Sequence, residues 1–419
     1  MLYSSYYSYM LLTLSIIGAI AMSTTKLRNI NKVLAKVRKL RTKMLQQRKK
    51  PYSLPNDVIE VKSLPVDEVH KRIHEKMEEF LSKILEGQEP YFLVPDRSSD
   101  NVIYDPVSDM VYLRKRYRKR SFLSVKSARE ATITARILSI IHELLEADIH
   151  ATKREVFYND VVLFRDQRES DEALEDVAAM LGVERNSLHV VAAAKGAVIG
   201  RLKFRERVGT EVHEIDCTRL GTGGWAISPL VDRISDIESD AEFILVVEKD
   251  AAFLRLAEDR FYERYPSIIV TGKGQPDIGT RMFLKLLVRE LKLPVFALVD
   301  SDPFGVHIML VYAVGSKRMS YETPFLTIPD IKWLGVRPSD LDKYNIPRTV
   351  RIPMTKKDIE RGKQLLNEEF IQRRPKYKKE IELMLKRKEK AEIQALASKG
   401  FRYLTEKYLP EKLETGDWI

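Results

Sequence analysis

Three carboxylates of this chain stand where a cation could be held. Glu248 closes the apolar run Phe243–Val247, and Asp300 and Asp302 close a second apolar run over residues 295–299. In an open parallel sheet, ligands gather at the carboxyl ends of the strands, so acids placed there can converge. Residues 300 and 302 point the same way if the chain stays extended. Oxygen donors with no histidine or cysteine beside them select a hard cation, Mg²⁺ before Zn²⁺, that keeps room for water and phosphate. One acid after a strand usually marks only a loop; three, spaced by two strand–helix units, point to a site.

A second group sits in "KREVFYND", residues 153–160. A phenol, with a pKa of about 10, attacks poorly until a base or a cation favours its phenolate. If the stretch is helical, Arg154 lies one turn before Tyr158 on the same face. Its guanidinium can there favour the phenolate or hold a phosphate bidentately. Arg165 falls near that stripe if the helix continues. Phe157 shares a core stripe with Val161 and Phe164, and Tyr158 is turned about 100° away. Alone, the stretch does little to separate Tyr158 from the other tyrosines of a chain that has 18.

Other chemistries lack their motifs. The glycines of "GKGQPDIGTR" do not follow the Gly-x-x-x-x-Gly-Lys-Ser/Thr order of a triphosphate loop, so any ATP is bound by another chain. Neither His-Glu-x-x-His nor Gly-x-Ser-x-Gly occurs, which removes support for a zinc protease or a serine hydrolase. The single cysteine, Cys217, excludes an intramolecular disulfide and a cysteine-rich zinc site, and suits a reducing cytoplasm.

The elements that must position these groups follow from periodicity. A chain of 419 residues, 44% apolar, makes two or three domains. Helical spacing predicts helices over 69–85, 125–149 and 171–181, then a break at Gly182-Val183 and a short helix at 186–188. "VVAAAKGAVIGRLKF" reads as two strands turning at Lys195-Gly196. Helices followed by a hairpin in this order outline a winged helix. Beyond "GTGGW", strands at 243–247, 267–270 and 295–299 alternate with helices at 251–262, 278–291 and 304–314. Such alternation argues for a parallel sheet covered on both faces. Residues 359–409 are charged and largely helical.

The net charge of +11 is uneven, because residues 1–50 hold eleven Lys or Arg and no acid. Without those eleven, the 71 basic residues fall to 60 and balance the 60 acids. Apolar residues recur at helical spacing from Ile30 to Met44, so this arm is either a basic helix for a polyanion or a solvated or partner-binding helix. A second run, "RKRYRKR" at 114–120, suits contact with a phosphate backbone. The apolar run 10–22 is short for a membrane span and lacks a signal peptide's positive start. We expect no membrane attachment, with Met22 as a plausible start that leaves residues 1–21 as an over-extended reading, and a weak membrane anchor as the lesser alternative.

The "VVEKD" and "VDSDPFG" motifs resemble a Toprim domain. Together with "TKREVFYND" in a preceding winged helix, they closely resemble the A-subunit family of DNA topoisomerase VI, the archaeal type IIB enzymes related to the protein that makes meiotic double-strand breaks. The resemblance runs from about Arg114 to Tyr312, and more loosely to the C-terminus. It implies an α/β multidomain fold: a basic arm (1–65), a winged-helix (CAP-like) DNA-binding domain carrying the tyrosine (66–210), a linker (211–236), and a Toprim domain with a helical C-terminal region (237–419). It implies cleavage of double-stranded DNA by a homodimer, with Tyr158 as nucleophile and Arg154 beside it. Glu248, Asp300 and Asp302 would be the Mg²⁺ ligands. ATP would be bound by the topoisomerase VI B subunit, a GHKL-type ATPase, in an A2B2 heterotetramer, and the location would be cytoplasmic. Two alternatives stay open: a Mg-dependent Toprim nuclease in which Tyr158 is only packed, and a winged-helix DNA-binding protein with an inert sheet.

Overall fold

The computed structural model of the protein describes residues 30–46, 54–191 and 195–419. The apolar run 10–22 lies outside them, and among the described residues no helix is long and apolar enough to cross a membrane. Residues 30–46 form α1. An N-terminal unit follows, with α2 (Val66–Leu85), β1 (Tyr91–Pro95), β2 (Val102–Asp105), β3 (Met110–Leu113) and β4 (Tyr117–Ser121). The long helix α3 (Ala128–Glu146) buries Ile133, Ile137, Ile141 and Leu144, the stripe read from its periodicity. After β5 (Ala151–Thr152) come α4 (Lys153–Asn159), α5 (Val161–Phe164) and α6 (Gln167–Leu181). The core of this unit joins Val69 and Ile73 of α2, the α3 stripe, Val156, Phe164, and Leu174 and Val177 of α6. Gly182 closes α6 with φ +66, the left-handed conformation that a helix C-terminus takes readily only with glycine.

The expected hairpin does not form. Its first arm, β6 (Val190–Val191), pairs in parallel with β5, directly before the helix of Tyr158. Its second arm, β7 (Ala197–Gly200), leaves for the large sheet and pairs antiparallel with a strand some seventy residues on. All four residues of β7 are buried, and a fully apolar strand is driven into a core rather than outward as a wing. The stretch expected as a linker is also structured. Strands β8 (Lys203–Val208), β9 (Glu211–Asp216), β10 (Trp225–Ala226) and β11 (Ile234–Glu238) follow, and β11-β8-β9 make an antiparallel sheet.

The large sheet has the order β10-β7-β13-β12-β14-β15, with β12 (Phe243–Val247), β13 (Ser267–Thr271), β14 (Val295–Leu298) and β15 (Lys332–Gly335) parallel. Every residue of β12, β13 and β14 is buried, because helices cover both faces. On the connections lie α7 (Asp250–Glu258), α8 (Phe261–Arg264), α9 (Ile278–Leu291) and α10 (Pro303–Ala313). The helix expected over 251–262 is divided at Arg260, whose φ of +44 no helix interior accepts.

Helix α1 is neither a free arm nor solvated on all sides. Val33 and Val37 are buried in the core of the large sheet, beside Phe243 and Leu256. Arg38 pairs with Glu242 at 2.5 Å, and Arg41 donates to the carbonyl oxygens of Leu291 and Lys292. The basic run 114–120 is likewise largely engaged within the chain. Arg114 pairs with Asp57, Arg116 with Asp96 and Asp100, Arg118 with Asp96, Lys119 with Glu89, and Arg120 with Asp176. Most of these pairs lie at the surface, and Arg118 keeps 66% of its side chain exposed.

Candidate active site

Strands β12 and β14 are neighbours in register, Val247 opposite Leu298, so the residues that follow them emerge side by side. The Asp300 N–H donates to Glu248 Oε2 at 2.8 Å. Asp302 is the N-cap of α10: it accepts from the Gly305 N–H at 2.7 Å, and Pro303 opens the helix without needing a donor. Gly305 is required by closeness, since a Cβ there would lie 2.6 Å from the Asp300 carbonyl oxygen and 2.9 Å from Glu248 Oε2. Glu248 and Asp300 are therefore neighbours beside the first turn of α10, the helix that Asp302 caps.

Burial, reinforced by the negative charge of Asp300, pushes the Glu248 carboxyl up to about 7, against the hydrogen bond from the Asp300 N–H. Burial also raises Asp300, opposed by the Ile393 N–H and by Lys249, and raises Asp302, opposed by the Gly305 N–H. Lys249 is the cation that sequence reasoning passed over. Its Nζ lies 3.0 Å from Asp300 Oδ2 and 2.9 Å from Glu392 Oε2. Its place next to Glu248 was a visible signal, whereas the Ile393 N–H, 2.8 Å from Asp300 Oδ1, comes from a distant segment. Lys249 compensates Asp300 and the charge of Lys390 acts on Asp302, while among the described residues Glu248 has no cation paired with it, and the donors are all oxygens. A hard divalent cation fits that set. Among the described residues no three His, Cys, Asp or Glu side chains are grouped so that they could hold a metal ion as they stand, so a cation bound by all three acids would require their carboxylates to turn toward one point.

Tyr158 belongs to a second group. Helix α4 starts with a capping box: the Glu155 N–H donates to Thr152 Oγ1 at 3.2 Å, and the Thr152 N–H donates to Glu155 Oε2 at 2.6 Å. It ends at Asp160, whose φ of −150° leaves the helix and whose Oδ1 caps α5. The expected continuous helix is thus broken. Arg165 does not extend the stripe of Arg154 and Tyr158, and Val161 is 41% exposed rather than core. Val156 and Phe164 supply the buried anchors, with Phe157 packed partly against them. Tyr158 is 60% exposed, and the Arg154 guanidinium stands 5.8 Å from its ring centroid. Among the described tyrosines only Tyr117 and Tyr158 are exposed, and only Tyr158 has a guanidinium over its ring in the open. Burial lifts the phenols of Tyr312, Tyr321, Tyr377 and Tyr408 away from phenolate.

The short helix depends on its cap. Thr152→Ala is expected to cost about 1 kcal/mol of stability, read as a lower urea midpoint, and to fray the first turn of α4. An unchanged midpoint would show that the box does not hold the helix.

Among the described residues no hydrogen bond, ion pair or ring contact joins Tyr158 and Arg154 to the three acids. The two groups are carried on different sides of the chain's architecture, one by the N-terminal unit and one by the large sheet.

Family profiles span both stretches of the chain. The family profile for the Toprim domain of the topoisomerase 6 A subunit/Spo11 group matches residues 243–413. "Type IIB DNA topoisomerase" matches 129–190, and "All-beta domain in DNA topoisomerase VI alpha subunit" matches 195–240, the strands found in place of a wing and a linker. The chain is 58% identical over 336 residues to the A3 subunit of DNA topoisomerase 6 from Oryza sativa subsp. indica, covering 80% of this chain and 75% of that one. It is 53% identical over 367 residues to the A subunit of DNA topoisomerase 6 from Arabidopsis thaliana, covering 88% and 85%. Meiotic recombination protein SPO11 of Mus musculus is 40% identical over 358 residues, covering 84% and 89%. The two relatives above half identity are from plants, so the expected archaeal affiliation has no support in them. The chain belongs to the topoisomerase 6 A subunit/Spo11 family of type IIB DNA topoisomerases.

Proposed function

We propose that this chain is the DNA-cleaving and religating component of an ATP-dependent type IIB topoisomerase, with Tyr158 as its nucleophile. The observation that carries the reading is the exposed Tyr158 phenol on a capped helix with the Arg154 guanidinium over its ring. The phenol gives its proton to water, and its oxygen attacks the scissile phosphorus. An O–P bond to Tyr158 forms, the bond from phosphorus to the 3′ oxygen breaks, and that oxygen leaves as a hydroxyl after taking a proton. The 5′ end stays on the protein. One ester replaces another, so the reverse attack by the 3′ hydroxyl reseals the strand without a cofactor.

Arg154 can hold the phosphate in a bidentate grip. A divalent cation, Mg²⁺ in this reading, bound by Glu248, Asp300 and Asp302 would neutralise the attacked phosphate and the leaving oxygen. One such tyrosine per chain and two strands per duplex call for a homodimer, in which Tyr158 of one copy meets the acids of the other. The ATPase partner, the B subunit, would bind ATP and drive passage of a second duplex in an A2B2 assembly. In the same reading the N-terminal unit that carries Tyr158 faces DNA, and 237–419 form the Toprim unit with its helical C-terminal region.

The test is a denaturation trap. The chain is mixed with its ATPase partner, ATP, Mg²⁺ and supercoiled DNA and then quenched with detergent. Protein should be found on the 5′ ends of cleaved DNA, with relaxed circles in the unquenched control. Cleaved DNA with free ends would turn the reading toward a Toprim nuclease.

A further inference from the structure

A helix of two turns does not hold its own place in water, so whatever fixes α4 also fixes Tyr158. Its first residue, Lys153, is held by α6: Nζ lies 3.1 Å from Asp171 Oδ2 and 3.3 Å from Glu175 Oε1. The side chain of Glu175 is only 2% exposed, and it takes two further cations. Arg97 Nη1 donates at 2.8 Å, and Arg318 donates through both Nε and Nη2 at 3.1 Å each. Arg97 also ties back to the Arg318 carbonyl oxygen at 3.3 Å.

Arg318 comes from the other side of the molecule. It sits in the turn Lys317–Glu322, which follows α10, the helix whose first turn Asp302 caps. A single buried carboxylate therefore touches the start of the tyrosine helix and the turn beyond the far end of α10. Burial alone would raise Glu175, and the charges of Arg97, Lys153 and Arg318 outweigh it and keep the carboxyl below its ordinary range. A buried carboxylate held in this way is fixed in position, because losing one cation leaves charge uncompensated.

We propose that Glu175 is a positioning residue for the attack by Tyr158: through Lys153 on one side and Arg318 on the other, it fixes where α4 stands on its own chain, and so where Tyr158 is presented to the acids of the partner copy. This rests on Tyr158 being the nucleophile. Neither Lys153 nor Arg318 touches DNA in this scheme: Lys153 acts through Glu175 and its α6 neighbour Asp171, and Arg318 through Glu175.

The full chain, assembled with its ATPase partner, DNA and Mg²⁺, gives the first readout. Lys153→Met and Arg318→Met are each expected to lower the rate of adduct formation by about tenfold, with DNA affinity within about twofold of the parent. The double variant should be no slower than the slower single one, since both changes break one linkage. Lys153→Arg should recover most of the rate. Losses that multiply, or a Lys153→Met chain as fast as the parent, would overturn the proposal.

The second readout needs no adduct. In the DNA-free chain, Arg318→Met should speed amide exchange across residues 153–164 by about tenfold, although Arg318 is far away in sequence. Unchanged exchange there overturns the linkage even if cleavage is slow. Accelerated exchange with no adduct in the parent chain would sustain the linkage and sink the nucleophile instead.

Discussion

Tyr158→Phe should remove the DNA-linked adduct and lower strand cleavage by about four orders of magnitude or more. The substitution takes away one oxygen from a phenol that is already in the open, so no buried partner is left unsatisfied. The ring that remains can still sit against the Arg154 guanidinium and beside Phe157. Fold, melting temperature and DNA affinity should therefore match the parent, and the loss can be assigned to the missing nucleophile. Phe157→Leu is the paired control. It trims a partly buried anchor and should keep the adduct at a reduced melting temperature. Cleavage that survives in Tyr158→Phe with free DNA ends would leave Tyr158 as a surface ring and return the chemistry to the acids alone.

The second large effect concerns Glu248. Its carboxyl is buried, is pushed up by that burial and by Asp300, and lies against the backbone at Gly305. Glu248→Gln keeps the shape and removes the charge. Without divalent cation the variant should melt at the same temperature as the parent or higher, because a repelling buried charge is gone. With Mg²⁺ the parent should be stabilised in proportion to the logarithm of cation concentration, and the variant should not be. Cleavage should fall by about two to four orders of magnitude. Differential scanning calorimetry with and without Mg²⁺, run beside the cleavage assay, separates these effects. An Mg²⁺ shift as large in the variant as in the parent would remove Glu248 from the ligand set.

How far these groups could be read in advance depended on how local their causes are. The strands Phe243–Val247 and Ser267–Thr271 and the helix Ile278–Leu291 announce themselves by uninterrupted or periodic apolar residues, and the acids follow directly from where the strands stop. The break at Asp160 was also legible: an aspartate before "VVLF" is a helix-start signal, and here it caps Leu163. Reading one helix through it placed Val161 in the core and Arg165 on the wrong face. The hairpin failed for a different reason. Two apolar runs around Lys-Gly satisfy a local turn rule, but the partner of Ala197–Gly200 is Ser267–Thr271, and nothing near residue 200 names it. The same holds for the cations. Helical spacing from Ile30 to Met44 predicted a helix but not what covers its apolar stripe, and Glu242 and the carbonyls at 291 and 292 that receive its arginines are remote. The acids that occupy the run 114–120 are scattered from Asp57 to Asp176.

Strand β7 has a meaning for how this site can be inherited. It hydrogen-bonds along β13, from Gly200 beside Ile268 to Ala197 beside Thr271, and carries β10 on its other edge. The stretch 243–413 that resembles a Toprim domain therefore ends, at its β13 side, on borrowed backbone. Moved alone into another protein, it would bring all three acids but expose a row of unpaired amides and carbonyls along β13, an invitation to aggregation. The unit of transfer is set by those hydrogen bonds, and residues 195–240 have to travel with the acids they never touch.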